Sequence, residues 1–423
     1  MERKVYDEYV QILKEELIPA MGCTEPIAIA YAAALARKTL GCLPDAAAVK
    51  ASPNIIKNVK SVVVPNTGGK RGIAAAASAG IVAGDADREL QVLTDVSKEE
   101  IVEIDKYMES VKCAVEQSDK PYIFDIQVSV SAKGHEAFAE IAGNHTNVIK
   151  ISRDDEVLLS KEYSEKADVK HSDRSCLNVK DIVEFADTVS VDDIREVLKR
   201  QIEYNKAIAE EGLRNRWGAN IGQIILKTQG DKVYDRAKAY AAAGSDARMN
   251  GCELPVVINS GSGNQGLTAS LPVIIFAEEL KASEEQLYRA LAVSNLITIH
   301  LKTGIGPLSA YCGATSAGCG AAAGVSYLHG GRYYEIAHTV VNGLSINSGM
   351  ICDGAKSSCA AKIASAIDAG LLGMQMQMNE SQFYDGEGIV KKGIENTINN
   401  VSQVARDGMR ETDKEIIRIM LER

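Results

Sequence analysis

The chain has 423 residues, of which 46% are hydrophobic and 25% charged, proportions typical of a globular protein with a large core. Its formal net charge of −10 disfavours nucleic acid and anionic membrane surfaces as partners. There is no run of about 18 uncharged apolar residues, so no membrane span is predicted. The first residues have the pattern of an amphipathic helix rather than of a secretion signal, and we therefore expect a cytoplasmic protein.

Charged residues are unevenly distributed and suggest how the chain is divided. Residues 85–175 include 33 charged residues among 91, whereas residues 251–360 include only 12 among 110, together with 15 of the 35 glycines. The first segment therefore indicates a solvated module and the second a buried one. We predict a small α+β domain over residues 85–175, inserted into a larger domain made of residues 1–84 and 176–423.

Local patterns predict the elements of the inserted module. Leu90–Leu93 suggests a short strand, and Ser97–Val111 places its apolar residues on one helical face. Tyr122–Ser131 alternates between polar and apolar residues, as a half-buried strand does. Val148–Ser152 and Glu156–Ser160 flank a polar turn and predict a β-hairpin. The module therefore combines helix and sheet.

Helical patterns dominate the rest of the chain. Apolar stripes that would face a core recur over Val191–Leu213, Ser283–Leu296 and Ile389–Val404. Alanine-rich runs such as Ala28–Ala36 and Ala321–Ala323 allow helix backbones to approach closely, because the side chains are small. The predicted fold class is α+β: a mainly helical, Ala/Gly-rich domain that carries the inserted module. Glycine-rich loops buried at its centre would line a site.

Two glycine-rich loops, at residues 64–73 and 258–267, resemble each other and could face one another around a pocket. Gly261–Gly266 has the glycine spacing of a dinucleotide fingerprint, but no strand ending in an acidic residue follows at the required distance. We interpret this loop as a cradle for a carboxylate or phosphate. A tight turn between helices, with chance similarity between the loops, is the alternative. Side chains that would assist binding are Ser262, Asn264 and Gln265.

The nine cysteines are too sparse for a disulfide scaffold, and a reducing compartment would keep them as thiols. Cys312 and Cys319 are seven residues apart, as are Cys352 and Cys359; on a continuous helix such partners lie about 10 Å apart. A small metal cluster would therefore take at most one cysteine from each pair. Cys312 and Cys352 stand beside glycine-marked breaks and are the better candidates, whereas the other two would be packing residues.

A third metal ligand must come from elsewhere in the chain. Cys23 precedes Pro26, which suits the first turn of a helix, and the positive end of that helix would lower the pKa of a nearby thiol. Cys42 and Cys252 have similar surroundings, so the pattern alone leaves the choice open. Any one of these cysteines can instead be a small buried hydrophobe.

Four motifs together resemble the L-cysteine desulfidase family, which is related to the alpha domain of iron–sulfur L-serine dehydratases. They are GCTEP from Gly22, NSGSGNQG from Asn259, YCGA from Tyr311 and MICDGAKSSC from Met350. The motifs occur in the family's order, and the resemblance covers essentially the whole chain. It implies that the larger domain is catalytic and that cysteine and water are converted to sulfide, ammonia and pyruvate.

The resemblance also implies an oxygen-sensitive [4Fe–4S] cluster held by three cysteines, which match Cys23, Cys312 and Cys352. Cys359 is the rival ligand, because related dehydratases have a cysteine shortly after the Cys-Asp motif. It could ligate if the chain between it and Cys352 is not helical. Three thiolates would leave one iron without a protein ligand, free to act as a Lewis acid.

A base must also remove the Cα proton of the substrate. We expect this base to be Lys356 or Glu25; the alternatives are a charge partner for Asp353 and an ordinary acidic residue in a first helical turn. The substrate carboxylate would lie in the second glycine loop, opposite the first. Residues expected to contact substrate are Thr24, Asn66, Thr67, Gly68, Ser260, Ser262, Asn264 and Gln265.

Other functions remain open at the level of sequence. The same cluster could serve L-serine or another hydroxy amino acid. A pyridoxal-phosphate lyase is a second class, although no recognisable Schiff-base lysine motif precedes the glycine loop. A non-catalytic amino-acid sensor is a third. The inserted module could be regulatory or a scaffold, and assembly as a homodimer also stays open.

Overall fold

A computed structural model of the chain describes residues 1–22, 24–164, 172–306 and 309–421. The α-helices of this described part are α1 (Arg3–Glu16), α2 (Thr24–Leu40), α3 (Pro53–Val59), α4 (Gly72–Ala83), α5 (Lys98–Ser110), α6 (Val179–Thr188), α7 (Val191–Arg214), α8 (Ile221–Gln229), α9 (Val233–Met249), α10 (Gly263–Glu279), α11 (Glu284–Ile305), α12 (Gly313–Leu328), α13 (Tyr333–Ile346), α14 (Cys359–Met378), α15 (Ile394–Gln403) and α16 (Arg410–Leu421). The strands are β1 (Pro19–Met21), β2 (Ala46–Ala51), β3 (Ala114–Gln117), β4 (Asp125–Ala132), β5 (His135–Ala142), β6 (Val148–Arg153), β7 (Glu156–Ser160) and β8 (Pro255–Val257).

Six of the strands form one mixed sheet in the order β3-β2-β4-β5-β6-β7. β2 and β3 run parallel, and the other neighbours are antiparallel. In β4 the apolar side chains are buried while the polar ones between them are mostly more exposed, and α2 packs against β4, β5 and β6. The half-buried strand predicted from alternation and the α+β fold class are thus confirmed. The hydrophobic core that contains this sheet begins before residue 85, because α2, β2 and α4 contribute to it.

Most of the elements predicted for residues 85–175 are confirmed. The hairpin predicted from the two runs around residues 153–155 is formed by β6 and β7, with Asp154 in the left-handed region at φ 51°. The strand predicted over Leu90–Leu93 is wrong. A 3-10 helix spans Ala86–Gln91 instead, and Leu93 is buried without pairing into the sheet. A four-residue stretch with three apolar side chains does not by itself distinguish a strand from a buried turn.

The helical part packs closely because small residues lie where helices meet. α12 contacts α10, α11, α13 and α14. A Cβ atom on Gly318 would lie 2.4 Å from the Ala366 carbonyl oxygen, and one on Gly370 would lie 2.4 Å from the Gly318 carbonyl oxygen. The Ala/Gly-rich helical packing predicted from composition is therefore observed. No helix in the described ranges is both long and apolar enough to cross a membrane.

The carboxyl group of Asp246, in α9, is fully buried and predicts a pH-dependent stability. One oxygen accepts the Gly222 N–H at 3.2 Å and the other has no partner. Burial raises the pKa of Asp246 to about 7. The protonated Asp246 carboxyl therefore contributes fully to the free energy of unfolding below its ordinary pKa of 3.8. This contribution is lost as the pH rises through about 7.

We expect Asp246→Asn to remove this loss, because the amide does not ionise and its oxygen can still accept the N–H. Urea unfolding at pH 5 and pH 8 should show that the wild type loses about 2–3 kcal/mol more than the variant between these two values. The exposed carboxylate of Asp368 provides the control, since Asp368→Asn should keep the wild-type pH dependence. An Asp246→Asn variant with an unchanged pH dependence would contradict the buried, protonated carboxyl.

Candidate functional site

Cys312 and Cys352 are held side by side by a short antiparallel bridge between Tyr311 and Ile351. The Cys312 N–H donates to the Met350 carbonyl at 3.0 Å, and the Cys352 N–H donates to the Ala310 carbonyl at 2.6 Å. Because side chains alternate across such a bridge, the two cysteines project to the face opposite Tyr311. Burial, and then the nearby Cys352, raise the pKa of Cys312 to about 12. The two predicted ligands are thus brought together.

Two lysines surround this pair of thiols with positive charge. Lys302, in α11, is buried, and its ammonium donates to the Gly306 carbonyl at 2.5 Å. Burial lowers the pKa of Lys302 to about 8, although attraction to Cys352 and Cys312 opposes the change. Burial also disfavours the charged form of Lys362, but the Asp353 carboxylate and the two thiols outweigh it, so the pKa of Lys362 is raised. The two cations attract the thiolate forms of these cysteines, although burial outweighs this attraction at Cys312.

Asp353, the residue after Cys352, forms ion pairs with two nearby lysines. It accepts from both Lys356, at 2.5 Å, and Lys362. Burial opposes ionisation, but these two hydrogen bonds hold the pKa of Asp353 down at about 2. Lys356 also donates to the Asp353 and Gly354 carbonyls at 3.3 and 3.1 Å. All three N–H donors of the Lys356 ammonium therefore have acceptors within its own loop.

The other cysteines of the two pairs differ in position. Cys319 is buried within α12 and packs against Gly343, as expected for a packing residue. Cys359 begins α14, so the chain between it and Cys352 is not helical, and the condition for its ligation is met. Its thiol donates to the Gly354 carbonyl at 3.7 Å. Cys23 lies outside the described residues; among those described, no group of three His, Cys, Asp or Glu side chains could hold a metal ion.

The second glycine loop, residues 258–267, leads into a helix that packs beside Cys312. Its left-handed Ser260 (φ 48°) leads into α10, whose first residue follows Ser262, and the Ser262 side chain makes no capping hydrogen bond. Gln265 is buried, and its Oε1 has no partner. A Cβ atom on Gly313 would lie 2.6 Å from the Gln265 side-chain carbon, so this amide packs directly on the residue after Cys312. Ser260 itself donates to Asn259 Oδ1 at 2.9 Å.

Polar side chains of the first glycine loop, residues 64–73, donate hydrogen bonds to backbone carbonyls. Asn66 donates to the Leu93 carbonyl at 2.8 Å, and the Thr67 hydroxyl donates to the Val64 carbonyl at 2.7 Å. A Cβ atom on Gly68 would lie 3.2 Å from Ile101 of α5. This part of the loop therefore contacts Leu93 and Ile101, which lie within residues 85–175. The polar atoms of Asn66 and Thr67 that form these bonds are engaged with backbone.

A chain of contacts links Glu25 to the segment after Cys352. Asn58 of α3 donates to one Glu25 oxygen at 3.2 Å, and the Thr24 hydroxyl donates to the other at 3.3 Å. The residue before Asn58, Lys57, packs its carbonyl against Gly354, where an added Cβ atom would lie 2.1 Å from that oxygen. α3 thus connects the start of α2 to the segment that carries Cys352.

Lys302 was not among the candidates from sequence, although one signal could have found it. It is the only charged residue between Arg289 and Arg332 in a strongly apolar, glycine-rich stretch. A lone charge in such a stretch is costly to bury unless it has a local purpose. That it lies beside Cys312 and Cys352 depends on tertiary packing, which the spacing along the chain does not report.

The fold and site define an α+β protein in which paired thiols lie beside one buried and one half-buried lysine, next to a glycine-rich loop. The chain belongs to the serine dehydratase alpha chain family, whose model matches residues 87–418. A UPF0597 protein of Desulfitobacterium hafniense is 55% identical over 423 residues, covering all of this chain and 98% of the relative. Other UPF0597 proteins are 47% identical in Treponema denticola and 49% identical in Lachnoclostridium phytofermentans, each covering at least 99% of both chains. The chain is therefore a serine dehydratase-like protein, and its likeness to the UPF0597 proteins extends over its whole length.

Proposed function

We propose that this protein is an iron–sulfur-dependent L-cysteine desulfidase that eliminates sulfide from cysteine to leave ammonia and pyruvate. The observation that carries the proposal is the pair of adjacent thiols, Cys312 and Cys352, beside two lysine ammonium groups and the glycine loop. Thiolates are the protein ligands of iron–sulfur clusters, and neighbouring cations balance their charge. The donor set therefore fits the cluster that the sequence motifs imply.

Cys23, Cys312 and Cys352 would hold a [4Fe–4S] cluster, with Cys359 as the rival ligand. When bound, such a cluster supplies a Lewis-acidic iron without a protein ligand, suited to a substrate sulfur or oxygen. The second glycine loop would orient the amino acid through Ser262 and Asn264 and the open oxygen of Gln265. Thr24, Ser260 and the first glycine loop would contribute to the walls of the site.

The Cα proton would be taken by Glu25, which we favour over Lys356. A carboxylate can accept a proton while keeping the hydrogen bonds that position it. The Lys356 ammonium, in contrast, already donates to Asp353 and two carbonyls, so it must lose an ion pair before it can act as a base. Its place is better explained as an anchor for the loop after Cys352.

Activity assays on anaerobically purified protein test the proposal. We expect L-cysteine to yield sulfide and pyruvate in equal amounts, at a higher kcat/KM than the release of pyruvate from L-serine. Pyruvate from serine alone would instead support a serine dehydratase, the second candidate, which the matched family favours. Saturable binding of either amino acid without turnover, in protein that contains iron, would contradict both enzymes and indicate a sensor.

The buried ammonium of Lys302 should matter for the metal centre. We expect Lys302→Met to lower affinity for iron roughly 10- to 100-fold, the usual effect of losing a group that supports metal ligands. Lys238→Met is the matched control, because Lys238 is also largely buried but pairs with Asp235 and Asp368 instead. Iron and acid-labile sulfide per chain would be measured for both. Full iron content in Lys302→Met would contradict this role.

A further inference from the structure

Arg248, at the end of α9, is a buried cation that forms no ion pair with any described carboxylate. Arg248 is only 5% exposed. Within the described part of the chain its guanidinium makes one hydrogen bond, from Nη1 to Asn264 Oδ1 at 3.3 Å, and its Nε has no acceptor. Buried arginines are usually paired with acids, because an unpaired buried charge is strongly unfavourable.

The guanidinium of Arg248 lies directly on the beginning of α10. A Cβ atom on Gly263 would lie 2.3 Å from Arg248 Nε, so only glycine allows this approach. The N-terminus of a helix carries partial positive charge on its free N–H groups, and the Ser262 side chain does not cap them. Two positive groups therefore face each other here, and a small anion placed between them would satisfy both.

This position is continuous with the proposed reaction centre. Gln265, one helical position after Asn264, packs on Gly313 beside Cys312. On the other side, Asn250 follows α9 and accepts the Ser357 hydroxyl at 2.9 Å, which links the end of α9 to the segment after Cys352. An anion held by Arg248 would thus lie at one end of a site whose other end is the thiol pair.

We propose that Arg248 binds the α-carboxylate of the amino-acid substrate, with the N–H groups at the start of α10 as its partners. This proposal rests on the proposed function, because it names the group that positions cysteine for elimination. A guanidinium suits this task through its planar fork of donors, which matches the two oxygens of a carboxylate. Asn264 holds the fork in place through the hydrogen bond to Nη1.

Binding of L-alanine and L-alaninamide, measured by calorimetry on the anaerobically purified full chain, tests Arg248 without turnover. L-alanine has no leaving group, and the amide differs only in lacking the carboxylate. We expect the wild type to prefer L-alanine and Arg248→Gln to weaken L-alanine at least about tenfold, the scale of a charged hydrogen bond, while leaving L-alaninamide unchanged. Arg248→Lys should retain part of the preference. When Arg248→Gln degrades cysteine, its weaker binding of substrate should appear mainly as a higher KM.

Arg200→Gln is the matched control. Arg200 is partly buried and, like Arg248, has an Nε without a partner, but it lies on α7 and donates to the Leu17 carbonyl. It should bind L-alanine as the wild type does. Arg248→Gln with the wild-type preference, or a wild type without any preference, would overturn the proposal. If the preference depends on Arg248 but cysteine is not degraded, the carboxylate site stands and the proposed reaction is wrong. Melting curves and Arg248→Lys separate lost binding from lost folding.

Discussion

Anaerobically purified Cys352→Ser protein is expected to contain almost no iron and to have no measurable elimination activity. Serine retains the shape of cysteine but replaces the soft thiolate that iron–sulfur clusters require by a hydroxyl. Because the Cys352 N–H is bonded to the Ala310 carbonyl, the backbone bridge to Cys312 should survive the substitution. Iron, labile sulfide and visible absorption would be measured on the same preparation.

Two further variants sharpen this prediction. Cys319→Ser changes a buried cysteine of α12 that packs against Gly343, and it should retain iron even if it is less stable. Cys359→Ser tests the rival ligand, and we expect it to retain the cluster because its thiol is already directed to the Gly354 carbonyl. Full iron and activity in Cys352→Ser, or loss of iron confined to Cys359→Ser, would refute the ligand assignment.

Glu25→Gln is expected to lower kcat for cysteine by about 10²–10⁴-fold with little change in KM, because it removes a proton acceptor but keeps the shape of the side chain. The amide oxygen can still accept from Asn58, so the position should be preserved. Lys356→Met should reduce kcat far less, since Lys356 is held by Asp353. Single-turnover kinetics on protein with matched iron content would separate chemistry from cluster loss.

The result that would contradict this assignment is the reverse order, with Lys356→Met inactive and Glu25→Gln nearly normal. An equal large loss in both variants would also contradict it, because it would require Lys356 to leave its ion pair during the reaction. A third variant, Glu25→Asp, provides a graded test. It keeps the carboxylate but shortens its reach, and its kcat should fall between those of Glu25→Gln and the wild type.

The sequence predicted elements where the period of the pattern was long enough to be unambiguous. The alternation before Ser131 gave a strand, and the two short runs around Asp154 gave a hairpin, because polar turn residues mark their ends. The strand predicted over Leu90–Leu93 failed because a four-residue stretch with three apolar residues fits a buried turn equally well. The contribution of β2 to the sheet was also missed, since its alanine-rich sequence has little preference for strand.

The candidate site could be anticipated only in part. The spacing of the cysteines allowed one ligand from each pair, and the glycine-marked breaks favoured Cys312 and Cys352. The structure brings these two together through Tyr311 and Ile351. Lys302 is conspicuous in the sequence as a lone charge, but its position beside the two cysteines depends on tertiary packing, which the order of residues does not report. The likeness of the first glycine loop to the second predicts a shared pocket, and this stays a prediction: the Asn66 side chain bonds to the Leu93 carbonyl and Thr67 to the Val64 carbonyl.

Determination of iron and acid-labile sulfide in the anaerobically purified chain, together with sulfide release from L-cysteine by the same sample, tests the central claim most directly. We predict about four irons and four sulfides per chain, and a rate of sulfide release that rises in proportion to iron content across preparations. Iron-free protein that degrades cysteine at the full rate would contradict the account.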